Sequence, residues 1–282
     1  MLISSLFSAL NGALAKILSQ DLNALEIVFF RNILGVLIIL YALKHTPPTL
    51  SGGKFHLLLL RGLMGFTAMI LFFYTITTIE LGVAITLNKT SPLFVSILAF
   101  FLLKEHLSFV GFFALIIGFM GVIFITQPDG FNLSYEHFLG ILGGFFAAAA
   151  YTTIRKIKDM YDSRIIVLSF LSVGTVIPFM MFILASYYTP PTYLRFIISD
   201  FHFPMEYSVW LFIILMSATA TFSQWLLTKA YTSTKATTIG IISYTNIPFA
   251  IGFGAMLGDN LPNMLAIFGI FCIIGAGVMV KK

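Results

Sequence analysis

Uninterrupted apolar runs of about 20 residues dominate this chain, and that is the length at which an α-helix rising 1.5 Å per residue crosses roughly 30 Å of hydrocarbon. "GFFALIIGFMGVIFI" at 111–125 is the centre of one of them. An outer-membrane barrel would instead alternate apolar and polar residues over segments of about ten. Breaks marked by charge, Pro, Gly and Asn place spans near 2–19, 24–43, 57–79, 81–103, 108–126, 137–155, 164–186, 207–229, 234–257 and 263–280. The expected fold class is therefore an all-α membrane protein with ten transmembrane helices. Composition agrees: 59% of the 282 residues are hydrophobic and 10% charged, against roughly 45–50% and about 25% in an average soluble domain.

The run at 1–19 contains Ala13-Leu14-Ala15, which imitates a leader cleavage site, yet no positive residue precedes it. It is read as the first span, with a native start upstream of Met1 left open. The net charge of +5 is divided among short loops rather than gathered on one surface, so no nucleic-acid partner is expected. Lysine and arginine accumulate in cytoplasmic loops. Placing the N-terminus inside puts Lys44, Lys54, Arg61, Lys104, Arg155, Lys156, Lys158, Arg164, Lys229, Lys235, Lys281 and Lys282 on or near the cytoplasmic side and leaves Arg195 outside. Ten spans then put both termini in the cytoplasm, in the inner membrane of a bacterium, with the lipid bilayer as a partner.

Sliding the chain against itself sets Thr78 on Thr232, Ile85 on Ile239, Leu103 on Leu257, Leu107 on Leu261 and Gly121 on Gly275. The corner Lys104-Glu105 falls on Gly258-Asp259. Two halves of five spans each, 1–126 and 137–282, must run in opposite directions across the membrane. Such inverted repeats suit alternating access, because exchanging the conformations of the two halves turns one facing state into the other.

The stretch "TLNKTSPLFVSILAFFLLKEHLSFVGFFALIIGFMGVIFI" resembles the end of an EamA domain of the drug/metabolite transporter superfamily. "NGALAK" followed by "EIVFFRN" looks like the opening pair of helices of that family, and "AYTSTKATTIGIISYTNIPFAIGFGAMLGDNLPNMLAIFGIFCIIGAG" like the end of a second domain. The resemblance covers nearly the whole chain as two tandem domains. It implies ten helices, a central pathway and transport of small metabolites. Asp259 stands where Glu is usual, and Pro248 lies two positions past Asn246, the residue matching Pro92.

All eleven carboxylates and all five histidines fall in loops or at span ends under this topology, so no deep acidic or His relay is expected. No metal-ligand spacing, nucleophile motif or phosphate-cradling loop is present, and neither cofactor nor catalysis is expected. Lys89 is the one charge near the middle of a span, about 12 Å from the outer end of its helix. A lysine at the bilayer centre costs roughly 2.5–3.5 kcal/mol on insertion scales, so it faces protein, water or an anion. Two roles stay open: a substrate-pathway group, or a donor to carbonyls freed by Pro92 or to a polar neighbour. Arg31 either contacts an anion in the pathway or pairs with Glu26 or Glu80.

Polar stripes at helical spacing add candidates: Ser217, Thr221, Gln224 and Thr228 with Trp225 beside them; Ser4, Ser8 and Asn11; Asn88 with Ser91; Ser243 with Asn246. Such residues line a cavity or hold helices together by hydrogen bonds. Tyr74, Tyr151, Trp225, Tyr231 and Tyr244 are aromatic groups that stack on a substrate or anchor the interface. Pro92 and Pro248, each in the corresponding span of its half, are the hinge candidates. The expected pathway set is thus Lys89, Asn88, Ser91, Asn11, Gln224, Trp225, Thr221, Tyr244, Asn246 and Arg31. The expected function is secondary transport of a small metabolite bearing an anionic or electron-rich group, with a homodimer left open. The rival readings are a proton-coupled exporter of aromatic or cationic compounds and, ranked last, a membrane-embedded enzyme or scaffold.

Overall fold

The computed structural model describes residues 1–50, 52–79, 81–104, 108–126, 134–191, 194, 196–258 and 263–280. The expected corners at Glu105 and Asp259, and also Glu80 and Arg195, lie outside them. Among the described residues the chain is helical throughout, without an extended strand: α1 (Leu2–Leu18), α2 (Ala24–His45), α3 (Phe55–Thr78), α4 (Leu81–Asn88), α5 (Ser91–Leu98), α6 (Phe109–Thr126), α7 (Tyr135–Ile157), α8 (Ser163–Ala185), α9 (Tyr207–Ser233), α10 (Ala236–Ile242), α11 (Asn246–Met256) and α12 (Met264–Val280). Among the described residues six segments are long and apolar enough to cross a membrane: Ala24–His45, Phe55–Thr78, Tyr135–Ile157, Ser163–Ala185, Tyr207–Ser233 and Ala236–Met256. Shorter apolar helices accompany them at Leu2–Leu18, Ser91–Leu103, Phe109–Gly121 and Ile267–Ala276. Large apolar side chains such as Leu37, Phe101, Phe113, Phe179 and Phe271 are exposed on the outside, as suits a surface solvated by lipid.

Two stretches expected as single helices are interrupted. Pro92 has no N–H to offer the Asn88 carbonyl, and α4 stops there. Thr90 turns the chain, its N–H and hydroxyl both bonding to Leu87 O at 3.1 and 2.8 Å. α5 then restarts with Pro92 as its second residue, where a missing N–H costs nothing. In the later stretch Pro248 likewise offers nothing to the Tyr244 carbonyl, and a 3₁₀ turn at Ser243–Thr245 separates α10 from α11. Pro92 is therefore a first-turn residue of a new helix, whereas Pro248 lies just past a 3₁₀ turn within the helical run Ala236–Met256. α5 runs on as a π-turn, Ala99–Leu103, which ends at Lys104 in the left-handed conformation.

Lipid tails are as apolar as leucine, so helices associate here by close packing and by hydrogen bonds. Gly140, Gly143 and Gly144 form a small-residue stripe on α7. A Cβ at Gly144 would strike the Thr90 hydroxyl and lie 3.2 Å from Asn88 O, so the bare stripe lets α7 press against the α4–α5 break. α1 and α9 are antiparallel and exchange hydrogen bonds: Ser4 Oγ donates to Ser223 O at 2.9 Å and Ser223 Oγ to Ser4 O at 2.8 Å. Other packed pairs are α2 with α8 and α9, α3 with α7 and α8, α6 with α12, α1 with α11, and α7 with α4 and α5; the two broken stretches also cross, α5 on α10 and α4 on α11.

At one end of the bundle the start of α2 is fixed beneath an aromatic cluster. α2 starts with a capping box in which Asn23 Oδ1 accepts from Glu26 N and Asn23 N donates to Glu26 Oε2, both at 2.9 Å. Above it Phe29, Phe30, Phe182, Phe201 and Trp210 interlock edge to face or tilted at centroid distances of 5.0–6.0 Å. A groove lined by Lys16, Ser19, Gln20, Thr77, Thr78 and His137 opens at this end, and a second polar cavity lies deeper, toward the other.

Candidate functional site

A cavity of about 100 Å³ lies where α1, α2, α3, α7, α8, α9 and the two helix breaks meet. Its lining includes Ser4, Ser5, Ser8 and Asn11 from the first three turns of α1, and Tyr151 and Gln224 from the later parts of α7 and α9. Among the described residues the lining holds three cationic side chains, Arg31, Arg61 and Lys89, and no carboxylate side chain.

Arg61 sits seven residues into α3 and is 1% exposed. Side chains on a helix lean toward its N-terminus, which would carry Arg61 to the near interface. The guanidinium instead runs the other way: a Cβ at Gly65, one turn onward, would overlap its Nη1. There its central carbon lies 4.6 Å from the centroid of the Phe170 ring. Its Nε and Nη2 are buried without a hydrogen-bond partner.

Arg31 faces the same ring from α2, at 5.8 Å. Its Nη1 donates to Asn32 Oδ1 at 2.8 Å and lies 3.0 Å from Met69 Sδ, while its Nε is unpartnered. Asn32, fully buried, is fixed in turn by donating from Nδ2 to Gly174 O at 3.1 Å on α8. The expected alternative pairing of Arg31 with Glu26 is not formed, because Glu26 closes the capping box and accepts from His202 N.

Lys89 is in the turn between α4 and α5, beside Asn88 on the cavity wall. Among the described residues its ammonium has no hydrogen-bond partner or ion pair. Arg31 and Arg61 are buried and Lys89 is partly buried; like charges in so small a space repel one another, and the two arginines have lost much of their hydration, a cost that an opposing charge or water relieves.

The structure brings together six of the residues expected in the pathway: Lys89, Asn88, Asn11, Gln224, Asn246 and Arg31. Asn11 Nδ2 donates to Met216 O at 3.1 Å and Asn246 Nδ2 to Ser5 O at 2.8 Å, so both also tie α1 to its neighbours. Gln224 Oε1 is buried without a donor. Four lie elsewhere. Ser91 is buried at the start of α5 away from the lining. Thr221 and Trp225 face a lateral groove between α2, α8 and α9, where Lys229 Nζ sits 5.5 Å from the Trp225 ring centroid. Tyr244 is fully buried with its ring against Gly118 of α6.

Arg61, Asn32, Met69 and Phe170 are absent from the sequence-derived set. Tyr151 was legible there only as an aromatic; it stacks on Tyr231 at 4.9 Å and 18°. Among the described residues no group of three or more His, Cys, Asp or Glu side chains converges as a metal site requires.

Comparison with known proteins gives this geometry a family. The profile of the EamA-like transporter family matches residues 1–127. An uncharacterized transporter of Helicobacter pylori (strain ATCC 700392 / 26695) is 30% identical over 285 residues, 99% of this chain and 92% of that protein. The pseudopaline exporter CntI of Pseudomonas aeruginosa (strain UCBPP-PA14) is 30% identical over 286 residues, 100% of this chain and 94% of that one. An S-adenosylmethionine uptake transporter of Rickettsia prowazekii (strain Madrid E) is 22% identical over 99% of this chain and 90% of its own. A protein solved by crystallography shares the fold with a TM-score of 0.74 at 15% identity, over 99% of this chain and 94% of that one. The chain belongs to the EamA-like transporter family, whose members are multi-pass membrane proteins that move small molecules.

Proposed function

We propose that the protein is a secondary transporter of the bacterial inner membrane that moves a small anionic metabolite by alternating access. The observation that carries this reading is the cavity ringed by Arg31, Arg61 and Lys89 with no carboxylate among its described lining residues. Of the rival reading, a proton-coupled exporter of aromatic or cationic compounds, the cationic branch would set its substrate against three like charges.

Alternating access rests on two inverted halves of five spans, 1–126 and 137–282, with the pairs α4–α5 and α10–α11 each counted as one span. Three features support it. Lys104 and Gly258, matched in sequence, both have positive φ, 55° and 92°. Lys89 at the first helix break is matched by Ser243, where the second begins. The packing is also reciprocal: α1 on α9 has its mate in α7 on α3, α2 on α9 in α8 on α3, and α1 on α11 in α7 on α4 and α5. The halves then pivot at residues 89–90 and 243–245, with Pro92 and Pro248 bordering the pivots. On this reading, which the lysine-arginine bias supports, both termini are cytoplasmic and the cavity runs from the cytoplasmic side to the middle of the membrane at Arg31 and Lys89.

The test is transport by the purified protein in liposomes, with and without a proton gradient. Anionic metabolites are expected to move, and Lys89→Gln to slow them. Normal transport of such substrates by the Lys89→Gln protein would remove this proposal.

A further inference from the structure

We infer that the substrate carries at least two negative charges, received at two points: Arg31 and Arg61 together over Phe170, and Lys89 at the α4–α5 break. This rests on the reading of the cavity as the transport site.

The charge count sets the minimum. A monoanion received at one point would leave the other uncompensated, either the partly buried Lys89 or the two buried arginines, and an unpaired charge in a low-dielectric space is far costlier than a paired one. A dianion leaves one cation over, and a trianion none. The arrangement of the donors separates the charges. Arg61 Nε and Nη2 and Arg31 Nε are buried and unpartnered around a single ring, a set of planar N–H groups that suits the several oxygens of one carboxylate or phosphate. Lys89 belongs to a different wall and offers a single point charge, which suits a second acidic group.

The arginine point is built rather than incidental. Gly65 leaves room for the Arg61 guanidinium, and Asn32 with Met69 holds Arg31. An arginine that merely snorkelled would need neither. A dicarboxylate, a tricarboxylate or a phosphorylated acid fits this layout, and a simple monocarboxylate does not.

The experiment uses the full-length protein in liposomes and reads uptake of a matched panel by mass: butyrate and lactate as monoanions, succinate, citrate and glycerol 3-phosphate as multiply charged probes. Multiply charged probes are expected to enter faster than monoanions. Arg61→Gln is expected to raise their KM by about tenfold or more, the loss of one buried charge contact, with a smaller change for any monoanion. Arg61→Lys, which keeps the charge and loses the fork, should fall between. Preferential uptake of monoanions, or an Arg61→Gln protein that discriminates between the two groups as the wild type does, overturns the inference and leaves the anion transporter standing. Movement of no anion by a monodisperse, fully helical preparation overturns the underlying reading as well. Should the Arg61 variants fail to fold, the wild-type ranking of the panel decides alone.

Discussion

The guanidinium of Arg61 occupies the space that a side chain at Gly65 would fill. A Cβ there would overlap Arg61 Nη1 and approach Phe170 Cδ2 to 2.7 Å. Gly65→Ala is therefore expected to push Arg61 off the ring, at an overpacking cost of about 1–3 kcal/mol. In liposomes it should raise substrate KM in the manner of Arg61→Gln, and adding it to Arg61→Gln should change KM little further, because both act through one group. Additive effects would show that Gly65 serves helix packing alone.

Asn32 links Arg31 to helix packing, since one amide bonds both Arg31 Nη1 and Gly174 O. Asn32→Ala leaves a buried carbonyl and a buried cation short of partners, a loss of about 1–3 kcal/mol each. The expected result is a lower thermal unfolding midpoint in detergent together with weaker substrate binding. A variant that loses stability yet binds substrate normally would confine Asn32 to structure.

How much of this was legible in sequence depended on which physical force placed each residue. Hydrocarbon thickness fixes apolar length, and the run expected at 24–43 emerges as Ala24–His45 for that reason. Lys89 stood out because a cation between Leu87 and Pro92 has no local escape to water. Arg61 did not, because a cation near the start of a helix ordinarily snorkels outward; the glycine one turn on that reverses it looks like any other small packing residue. Stripe reasoning found Gln224 but carried Thr221 with it, since a helical stripe is wide enough to serve the cavity on one edge and a lateral groove on the other. Phe170 was hidden among 31 phenylalanines, and only the guanidiniums above it distinguish it.

Asp162 caps α8, its Oδ1 accepting from Arg164 N at 2.8 Å and from Arg164 Nε at 3.1 Å, with Oδ2 2.9 Å from Arg164 Nη2. These bonds from Arg164 hold its carboxyl below the usual carboxylate range. The folded state thus binds the proton less readily than the unfolded state. The contribution is full above the unfolded value of about 3.9 and is lost as pH falls through the lower folded value. Asp162→Asn should be less stable than the wild type by a constant margin from pH 6 to pH 8, and the margin should shrink below about pH 4. A margin that persists unchanged at pH 3 would assign the effect to packing instead.

The two prolines next to the helix breaks separate positioning from motion. Pro92 ends α4 by denying Asn88 O its helical donor, which leaves Lys89 in a turn on the cavity wall. Pro92→Ala restores that N–H and favours a continuous helix, so Lys89 is expected to swing from its place and substrate KM to rise by about threefold or more. On a Lys89→Gln background the same change should do little to KM. Pro248 borders the matching break, where Ser243 replaces the lysine, so Pro248→Ala has no charge to displace. Its effect should fall on the turnover rate, as expected of a pivot whose healing stiffens one half. Equal KM effects from both prolines would show that the breaks shape the cavity in the same way and that Lys89 gains nothing from the turn in which it sits.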